Sequence, residues 1–292
     1  MQQDSAIEIT RQIKEKASEL LQGNSVQCII GYERATDDLT ARPLFAYEAG
    51  HIEKLIFDKT CTHNLSKYLL NCKDKVTAVV AKPCDARAIN MLLSEKQLER
   101  EKIYIIGIAC TGIVQSRWGQ VSDELQGRCQ LCTEHTPPIY DILIGTRDDK
   151  EEHEISFPEV AAIESKTPAE RETFWAKHFD RCVRCYACRA VCPGCYCTEC
   201  FVERLDPLWV GIRIAPAENW MWQTIRAYHL GGRCIRCGEC ERVCPINIPL
   251  GLLNCKLEKE VLQLFNFRPG LDAEIPAPLI TFKKEENLGV GQ

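Results

Sequence analysis

Residues 182–193 read CVRCYACRAVCP, and residues 234–245 read CIRCGECERVCP. Both stretches place four cysteines at the spacing C-x2-C-x2-C-x3-C and follow the last one with proline. Three thiolates on so tight a loop can bind three corners of one four-iron cubane, while the fourth cysteine reaches across to a neighbouring cluster. Two complete copies therefore predict two [4Fe–4S] clusters, rather than a structural zinc scaffold or disulfides.

This crossed pattern is typical of bacterial two-cluster ferredoxins, and it assigns the ligands. We expect residues 181–260 to form an α+β, dicluster-ferredoxin-like domain, with a helical insertion over residues 217–230 between the two cysteine runs. The predicted ligands are Cys182, Cys185, Cys188 and Cys244 for cluster 1, and Cys234, Cys237, Cys240 and Cys192 for cluster 2.

Composition limits the class of protein. The chain has 292 residues, of which 45% are hydrophobic and 26% charged, enough for two globular domains. Its net charge of -5 does not favour a nucleic-acid partner. The sequence shows no apolar leader and no apolar run of the ~20 residues that span a bilayer, so we expect a cytoplasmic protein without direct membrane insertion. Nineteen cysteines in a reducing compartment indicate metal or redox chemistry.

The N-terminal half has the pattern of an α/β domain over residues 1–150. Apolar residues recur at helical spacing from Asp4 to Gln22, and Asp85 is a candidate N-cap for a helix over residues 86–98. Continuous apolar runs that alternate with helical segments predict a mostly parallel sheet with flanking helices. The runs read as strands cover residues 26–32, 76–81, 103–109 and 141–145, with a further short helix over 64–70.

Cysteines follow two of these predicted strands. Cys84 comes after the strand at 76–81 and Cys110 after the strand at 103–109, where open α/β sheets place ligands. Cys129 and Cys132 form a C-x2-C pair nearby in sequence. These four thiols predict a third [4Fe–4S] cluster, cluster 3. The alternatives are a four-cysteine zinc site and a group of buried, inert thiols.

The two halves are joined by a charged run at 148–154 and by Thr167-Pro-Ala-Glu170, a strong helix start. The predicted division is an α/β domain over 1–150, a linker and helix over 151–180, the two-cluster domain over 181–260 and a tail over 261–292. Four cysteines stay unassigned, as a fourth centre or as thiols beside the clusters: Cys195, Cys197, Cys200 and Cys255. Arginines crowd the motifs, either to raise the cluster potentials or to balance surface charge: Arg181, Arg184, Arg189, Arg233, Arg236 and Arg242.

An ordered series of motifs carries a resemblance to a known family. It consists of KPCDARAI at 82–89, IGIACTG at 106–112, CQLCTEHT at 129–136 and DILIG at 141–145. The series resembles the beta subunits of deazaflavin (coenzyme F420-type) reducing hydrogenases and formate dehydrogenases. The C-terminal half is similar to dicluster subunits of cytosolic sulfhydrogenases and heterodisulfide-reductase-linked complexes. The resemblance implies that Cys84, Cys110, Cys129 and Cys132 hold a cluster.

The resulting prediction is an iron–sulfur electron-transfer subunit of a multi-subunit anaerobic oxidoreductase complex. About three clusters would relay electrons between a catalytic subunit (a hydrogenase, formate dehydrogenase or flavin oxidoreductase) and a heterodisulfide-reductase-like or other acceptor. No residue is assigned as a catalytic acid or base. The alternative is an FAD-containing reductase subunit that acts directly on a deazaflavin or similar small carrier. In the family, the core continues past the DILIG position and holds the flavin, whereas here the chain enters the linker, and no G-x-G-x-x-G or G-x4-G-K-[ST] loop is present.

Overall fold

The structure is a computed structural model that describes residues 2–117, 119–146 and 155–278. The predicted charged run at 148–154 and the last part of the predicted tail, from residue 279, lie outside the described residues. The strands are β1 Cys28–Arg34, β2 Ala41–Ala46, β3 Thr77–Ala81, β4 Ile103–Ile108, β5 Val114–Arg117, β6 Gln120–Leu125 and β7 Ile142–Ile144.

The helices alternate with strands in the first half and stand alone in the second. Those of the first half are α1 Gln2–Gln22, α2 Ala49–Ile52, α3 Ser66–Leu69, α4 Pro83–Ser94 and α5 Gly127–Gln130. Those of the second half are α6 Pro158–Glu164, α7 Pro168–Phe179, α8 Ala187–Ala190, α9 Pro216–His229, α10 Glu239–Arg242 and α11 Leu250–Phe265.

A five-stranded sheet with the order β2-β1-β3-β4-β7 forms the centre of the N-terminal half. β1, β3, β4 and β7 are parallel to one another, and β2 is an antiparallel edge strand that the sequence pattern did not indicate. All five residues of β3 are buried, as expected for a strand covered on both faces, and α1, α3 and α4 pack against the sheet. The predicted α/β class is therefore confirmed for this half.

Helix α4 begins earlier than its sequence pattern suggested. Lys82 is the extended N-cap, Pro83 is the first helical residue, and the Lys82 backbone N–H donates to Asp85 Oδ2 over 2.9 Å. The prediction that Asp85 is the N-cap was therefore wrong: proline suits the first helical position, so the helix starts there and Asp85 becomes the third residue. As a result Cys84 lies in the first turn of α4.

The C-terminal half is helical. The predicted helix starts are confirmed: Thr167 and Glu170 form a capping box at α7, and the predicted insertion is α9. Residues 155–278 contain helices and loops but no β-strand, so the α+β class predicted for this half is not what the structure shows. The physical reason is that the segment after the second cysteine run, 250–265, has helical rather than alternating apolar spacing and packs as α11 on α9 and α10.

The two halves are packed together along the edge where β3 and β4 end. Lys67 donates from Nζ to the carbonyl of Cys195 over 2.7 Å, and Arg233 lies 2.6 Å from Glu95. Arg87 of α4 donates from Nη2 to the carbonyl of Pro269 over 2.8 Å, so the chain after α11 returns to the N-terminal half. Both cysteine runs therefore lie against the α/β domain. Among the described residues, no helix combines the length and apolar character needed to cross a membrane.

Candidate iron–sulfur centres

Three cavities contain the twelve predicted ligands, one set of four in each. Cavity I is lined by Cys182, Cys185, Cys188 and Cys244, together with residues of α9 and the loop after Cys244. Cavity II, of about 320 Å³, is lined by Cys192, Cys234, Cys237 and Cys240, and also by Cys255. Cavity III is lined by Cys84, Cys110, Cys129 and Cys132.

The two cysteine runs adopt the same local conformation. Arg184 and Tyr186 in the first run have φ values of 46° and 57°, and Arg236 and Gly238 in the second have 58° and 67°. In each run the second of these residues precedes a short helix, α8 or α10, and these two helices pack against each other. The left-handed residues turn each loop tightly, which aims successive cysteine side chains into one cavity.

Amide groups of α9 and of the loop after Cys244 donate hydrogen bonds around cavity I. Asn219 donates from Nδ2 to the carbonyls of Phe179 and Cys182 over 2.8 and 2.9 Å, which holds the start of the first run. Gln223 Nε2 donates to Cys182 Sγ over 3.4 Å, and the Ile248 backbone N–H donates to Cys244 Sγ over 3.3 Å. Such N–H···S bonds stabilise thiolate charge and help to set the potential of a cluster.

Cavity II receives its fourth predicted ligand, Cys192, from the first run, as the crossed pattern requires. The Cys195 thiol donates to Cys192 Sγ, and this hydrogen bond lowers the pKa of Cys192 below its usual value. Asn254 of α11 approaches Cys240 Sγ with its Nδ2 at 3.9 Å. Cys255 is the fifth thiol of this cavity and hydrogen-bonds to Arg236, so it lies beside the four predicted ligands.

Cavity III lies at the carboxyl ends of β3 and β4, where the sequence pattern placed it. Cys84 is in the first turn of α4, Cys110 follows β4, and Cys129 and Cys132 belong to α5 and its end. The backbone N–H groups of residues 112 and 113 donate to Cys110 Sγ and Cys129 Sγ over 3.4 and 3.5 Å. His135 lines the same cavity, with Nδ1 3.0 Å from the Cys110 carbonyl oxygen, a position that the sequence did not suggest.

The three cavities are neighbours in the order I–II–III. Cys188 of cavity I and Cys240 of cavity II belong to one buried apolar cluster around Trp222. On the other side, Cys84 of cavity III packs in one cluster with Ile235 and Cys237 of cavity II. Four residues line both cavity II and cavity III: Arg128, Leu131, Ile235 and Arg236.

Burial makes these thiols hard to ionise without a metal. Loss of solvation raises the pKa of Cys110 and of Cys188 to about 11, and that of Cys240 to about 12. Each such ligand therefore has to release a proton when it binds iron. In the described part of the chain no three Cys, His, Asp or Glu side chains converge closely enough to share one metal ion. The thiols instead surround the cavities, and one thiolate per iron is what a cubane takes.

Four buried guanidinium atoms beside the predicted ligands lack a hydrogen-bond partner among the described residues: Arg128 Nη1, Arg184 Nε, Arg226 Nε and Arg268 Nε. A buried cation without a partner is costly, so these atoms fit an anionic group such as a thiolate-bound cluster. Of these four arginines, only Arg184 was singled out from the sequence. Each of the six that were singled out contacts at least one carbonyl or carboxylate oxygen. These lie on residue 246 for Arg181, on 211–213 for Arg184, and on Glu203, Glu95, Glu258 and Glu239 for Arg189, Arg233, Arg236 and Arg242.

The remaining cysteines do not line a common cavity of their own in the described residues. Cys28, Cys61 and Cys72 are buried in the core around the sheet. Cys255 lies in cavity II, whereas Cys197 is exposed and lines a surface basin together with Cys195 and Cys185.

Comparison with known proteins supports the resemblance noted in the motifs. The chain is similar to the F420-dependent formate dehydrogenase subunit beta of Methanocaldococcus jannaschii, 25% identical over 356 aligned positions that cover 91% of this chain and 92% of the relative. It is also similar to the F420-dependent formate dehydrogenase 1 subunit beta of Methanococcus maripaludis, 24% identical over 89% of this chain and 90% of that relative. Both alignments are longer than the 292-residue chain, so these relatives carry segments without a counterpart here. No protein-family model matches the chain.

The predicted resemblance to beta subunits of F420-type enzymes is thereby confirmed. Both relatives are beta subunits of formate dehydrogenases. The similarity to them supports an electron-transfer subunit of an oxidoreductase that has other subunits.

Proposed function

We propose that this chain is the iron–sulfur electron-transfer subunit of a formate-oxidising complex and that it holds three [4Fe–4S] clusters, one in each of cavities I, II and III. The observation that carries the proposal is the row of three adjoining cavities, each lined by one complete set of four cysteines. When bound, the clusters supply one-electron transfer. The chain supplies the thiolates, keeps the cavities close together and limits access of water.

The two ends of the row differ in exposure. In cavity I, Cys185 is exposed and the other three cysteines are buried, whereas cavity II has two buried and two half-buried cysteines. The four cysteines of cavity III are of intermediate exposure. Because cavity II adjoins both of the others, we infer that electrons enter and leave at cavities I and III and pass through cavity II.

The names of the relatives suggest which electron donor and which acceptor meet the two ends of the row of cavities. Both relatives are named as subunits of F420-dependent formate dehydrogenases, so formate and the deazaflavin F420 are the substrates of their complexes. We propose that a catalytic subunit oxidises formate next to one end of this row. The two electrons released would then pass along the clusters one at a time.

A second candidate function is an FAD-bearing subunit that reduces a deazaflavin directly. One observation favours it: both relatives are named as F420-dependent. Clusters move single electrons, and a carrier that accepts hydride needs a two-electron donor such as a flavin. Stoichiometric flavin in the purified chain, with deazaflavin reduction by the chain alone, would favour this candidate over a pure relay.

Metal analysis of protein purified without oxygen tests the proposal. We expect about 12 iron and about 12 acid-labile sulfide per chain, without zinc. Cys132→Ala, in cavity III, should lower the iron to about 8, because the cubane loses one of its four ligands. Cys72→Ala is the matched control, since Cys72 is a buried cysteine outside the three cavities, and it should keep about 12. Zinc in place of iron, or about 8 iron in the unaltered chain, would contradict the three-cluster assignment.

A further inference from the structure

Two arginines lie at the two junctions of the row, and the proposal drawn from them rests on the function proposed above. Arg226, on α9, is 3% exposed and lies beside predicted ligands of both cavity I and cavity II. Its Nη2 donates to the carbonyl of Cys188 over 3.0 Å, and its charge is felt by Cys188 on one side and by Cys192 and Cys240 on the other. It therefore adjoins ligands of both predicted clusters.

Arg128 occupies the corresponding place between cavities II and III, both of which it lines. Its Nη2 donates to the carbonyl of Thr62 over 3.0 Å, and its Nε donates to Gln126 Oε1 over 2.5 Å. The side chain lies against the second cysteine run so closely that a Cβ atom on Gly238 would approach its Cδ to 2.7 Å. Its orientation is thus held from both halves of the protein.

The two junction arginines share two features: no carboxylate of the described residues neutralises them, and each adjoins the predicted ligands of two cavities. Within the described residues, neither makes an ion pair, whereas Arg233, Arg236 and Arg242 each have a carboxylate within 3.4 Å. The Glu239 carboxylate interacts electrostatically with Arg128, but both of its oxygens accept hydrogen bonds from Arg242, over 2.8 and 2.9 Å. In the part of the chain that the structure describes, Arg128 Nη1 and Arg226 Nε have no hydrogen-bond partner.

We propose that Arg226 and Arg128 are fixed cations, each shared by two neighbouring clusters, and that each raises the reduction potential of the two clusters beside it. A nearby anion offsets the desolvation of a buried guanidinium that has no carboxylate partner, and a four-thiolate cluster is such an anion. Arg184 and Arg87 also lack an ion pair among the described residues, but each lines a single cavity and is held by carbonyl oxygens. Reduction adds negative charge to the cluster, so a nearby cation stabilises the reduced form more than the oxidised form.

The placement makes a prediction about pairs of clusters. Arg226 acts on clusters 1 and 2, and Arg128 acts on clusters 2 and 3. The middle cluster lies next to both cations, so it is the one cluster whose potential both of them raise.

The test is an anaerobic redox titration followed by EPR on the full chain, with the unaltered protein, Arg226→Gln and Arg128→Gln. Each variant should shift two of three reduction steps to lower potential and leave the third in place. The equilibrium constant for reduction should fall at least about tenfold, which equals about 59 mV for a one-electron step. The step shifted by both variants belongs to cluster 2, so no prior assignment of the signals is needed.

Arg11→Gln is the matched control for net charge. Arg11 is an exposed arginine on α1, and its removal changes the charge of the chain by the same amount. It should move none of the steps. If it moves all three as far as the junction variants do, or if the junction variants move none, the proposal is overturned.

Arg226→Lys and Arg128→Lys separate charge from hydrogen bonding. We expect both to keep the unaltered potentials, because the ammonium retains the charge without the guanidinium fork. If a Gln variant loses iron, the Lys variant at the same position decides between the two roles. Full iron and unaltered potentials in the Lys variant would show that the charge is required. Loss of iron in the Lys variant as well would show a purely structural role for the arginine and would overturn the proposal. Failure of the three-cluster function would appear separately, as fewer than about 12 iron in the unaltered chain.

Discussion

Replacing Asp85 with asparagine would leave a buried lysine without its counter-ion beside cavity III. Lys82 and Asp85 have side chains only 1% and 0% exposed, and Lys82 Nζ lies 2.9 Å from Asp85 Oδ2. Lys82 also donates to the Tyr32 hydroxyl and, over 2.8 Å, to the carbonyl of His63. Burial alone would lower the pKa of Lys82, but the neighbouring anionic groups, Asp85 first among them, outweigh it, so the lysine pKa lies above its usual value and Lys82 is charged.

Removing one partner of such a pair costs about 3–5 kcal/mol, because the other charge stays buried and uncompensated. Asp85→Asn also gives up one of two backbone hydrogen bonds, since Asp85 accepts from Leu65 N over 2.6 Å with one oxygen and from Lys82 N with the other. We expect Lys82→Met to be similarly destabilising. The double variant should be less unstable than the sum of the two by about 2 kcal/mol, because it buries no lone charge.

Native-state hydrogen exchange of the β3 amides measures these effects without removing the clusters. A loss of 3–5 kcal/mol should speed exchange roughly 10²- to 10⁴-fold. The control is Lys102→Met, which breaks the Lys102–Glu99 pair, whose side chains are 39% and 65% exposed, and should cost about 0–1 kcal/mol. Strictly additive effects in the double variant, or a single Asp85 variant as mild as the control, would refute this account of the pair.

Three further outcomes rest on single residues. Asn219→Leu removes two hydrogen bonds at the start of the first cysteine run, so iron should fall from about 12 to about 8 per chain; an unchanged iron content would contradict this. Gly238→Ala adds a Cβ at φ 67° that meets Arg128, so clusters should be lost several-fold faster on exposure to a chelator, and an unchanged decay of visible absorbance would count against it. Burial lowers the pKa of His63 to about 4, so the unfolded chain binds a proton that the folded chain does not between pH 6.5 and pH 4. Stability should therefore fall as the pH drops through that window, and His63→Gln should flatten the slope measured by hydrogen exchange; an unaltered slope would be evidence against this assignment.

Much of the N-terminal fold could be read from the sequence because buried parallel strands are continuous apolar runs. β3 and β4 were predicted to within one residue, and their carboxyl ends placed Cys84 and Cys110 correctly on one cavity. The edge strand β2 was missed, since a short strand exposed on one side lacks such a run. Proline at the first position of α4 moved the start of that helix, which local propensity alone indicates only to within a few residues.

The sequence by itself determined the three sets of candidate ligands, because thiols that share a cluster lie on short loops or at strand ends whose geometry follows from local spacing. Only the tertiary structure decided which cavities adjoin, and which cations lie between them. The arginines next to the cysteine motifs are held by carbonyls and carboxylates, whereas Arg226 comes from the last turn of α9 and Arg128 from the opposite half of the protein. No sequence period marks these two positions, because a side chain becomes a lone buried charge between two cavities only when separate elements pack around it.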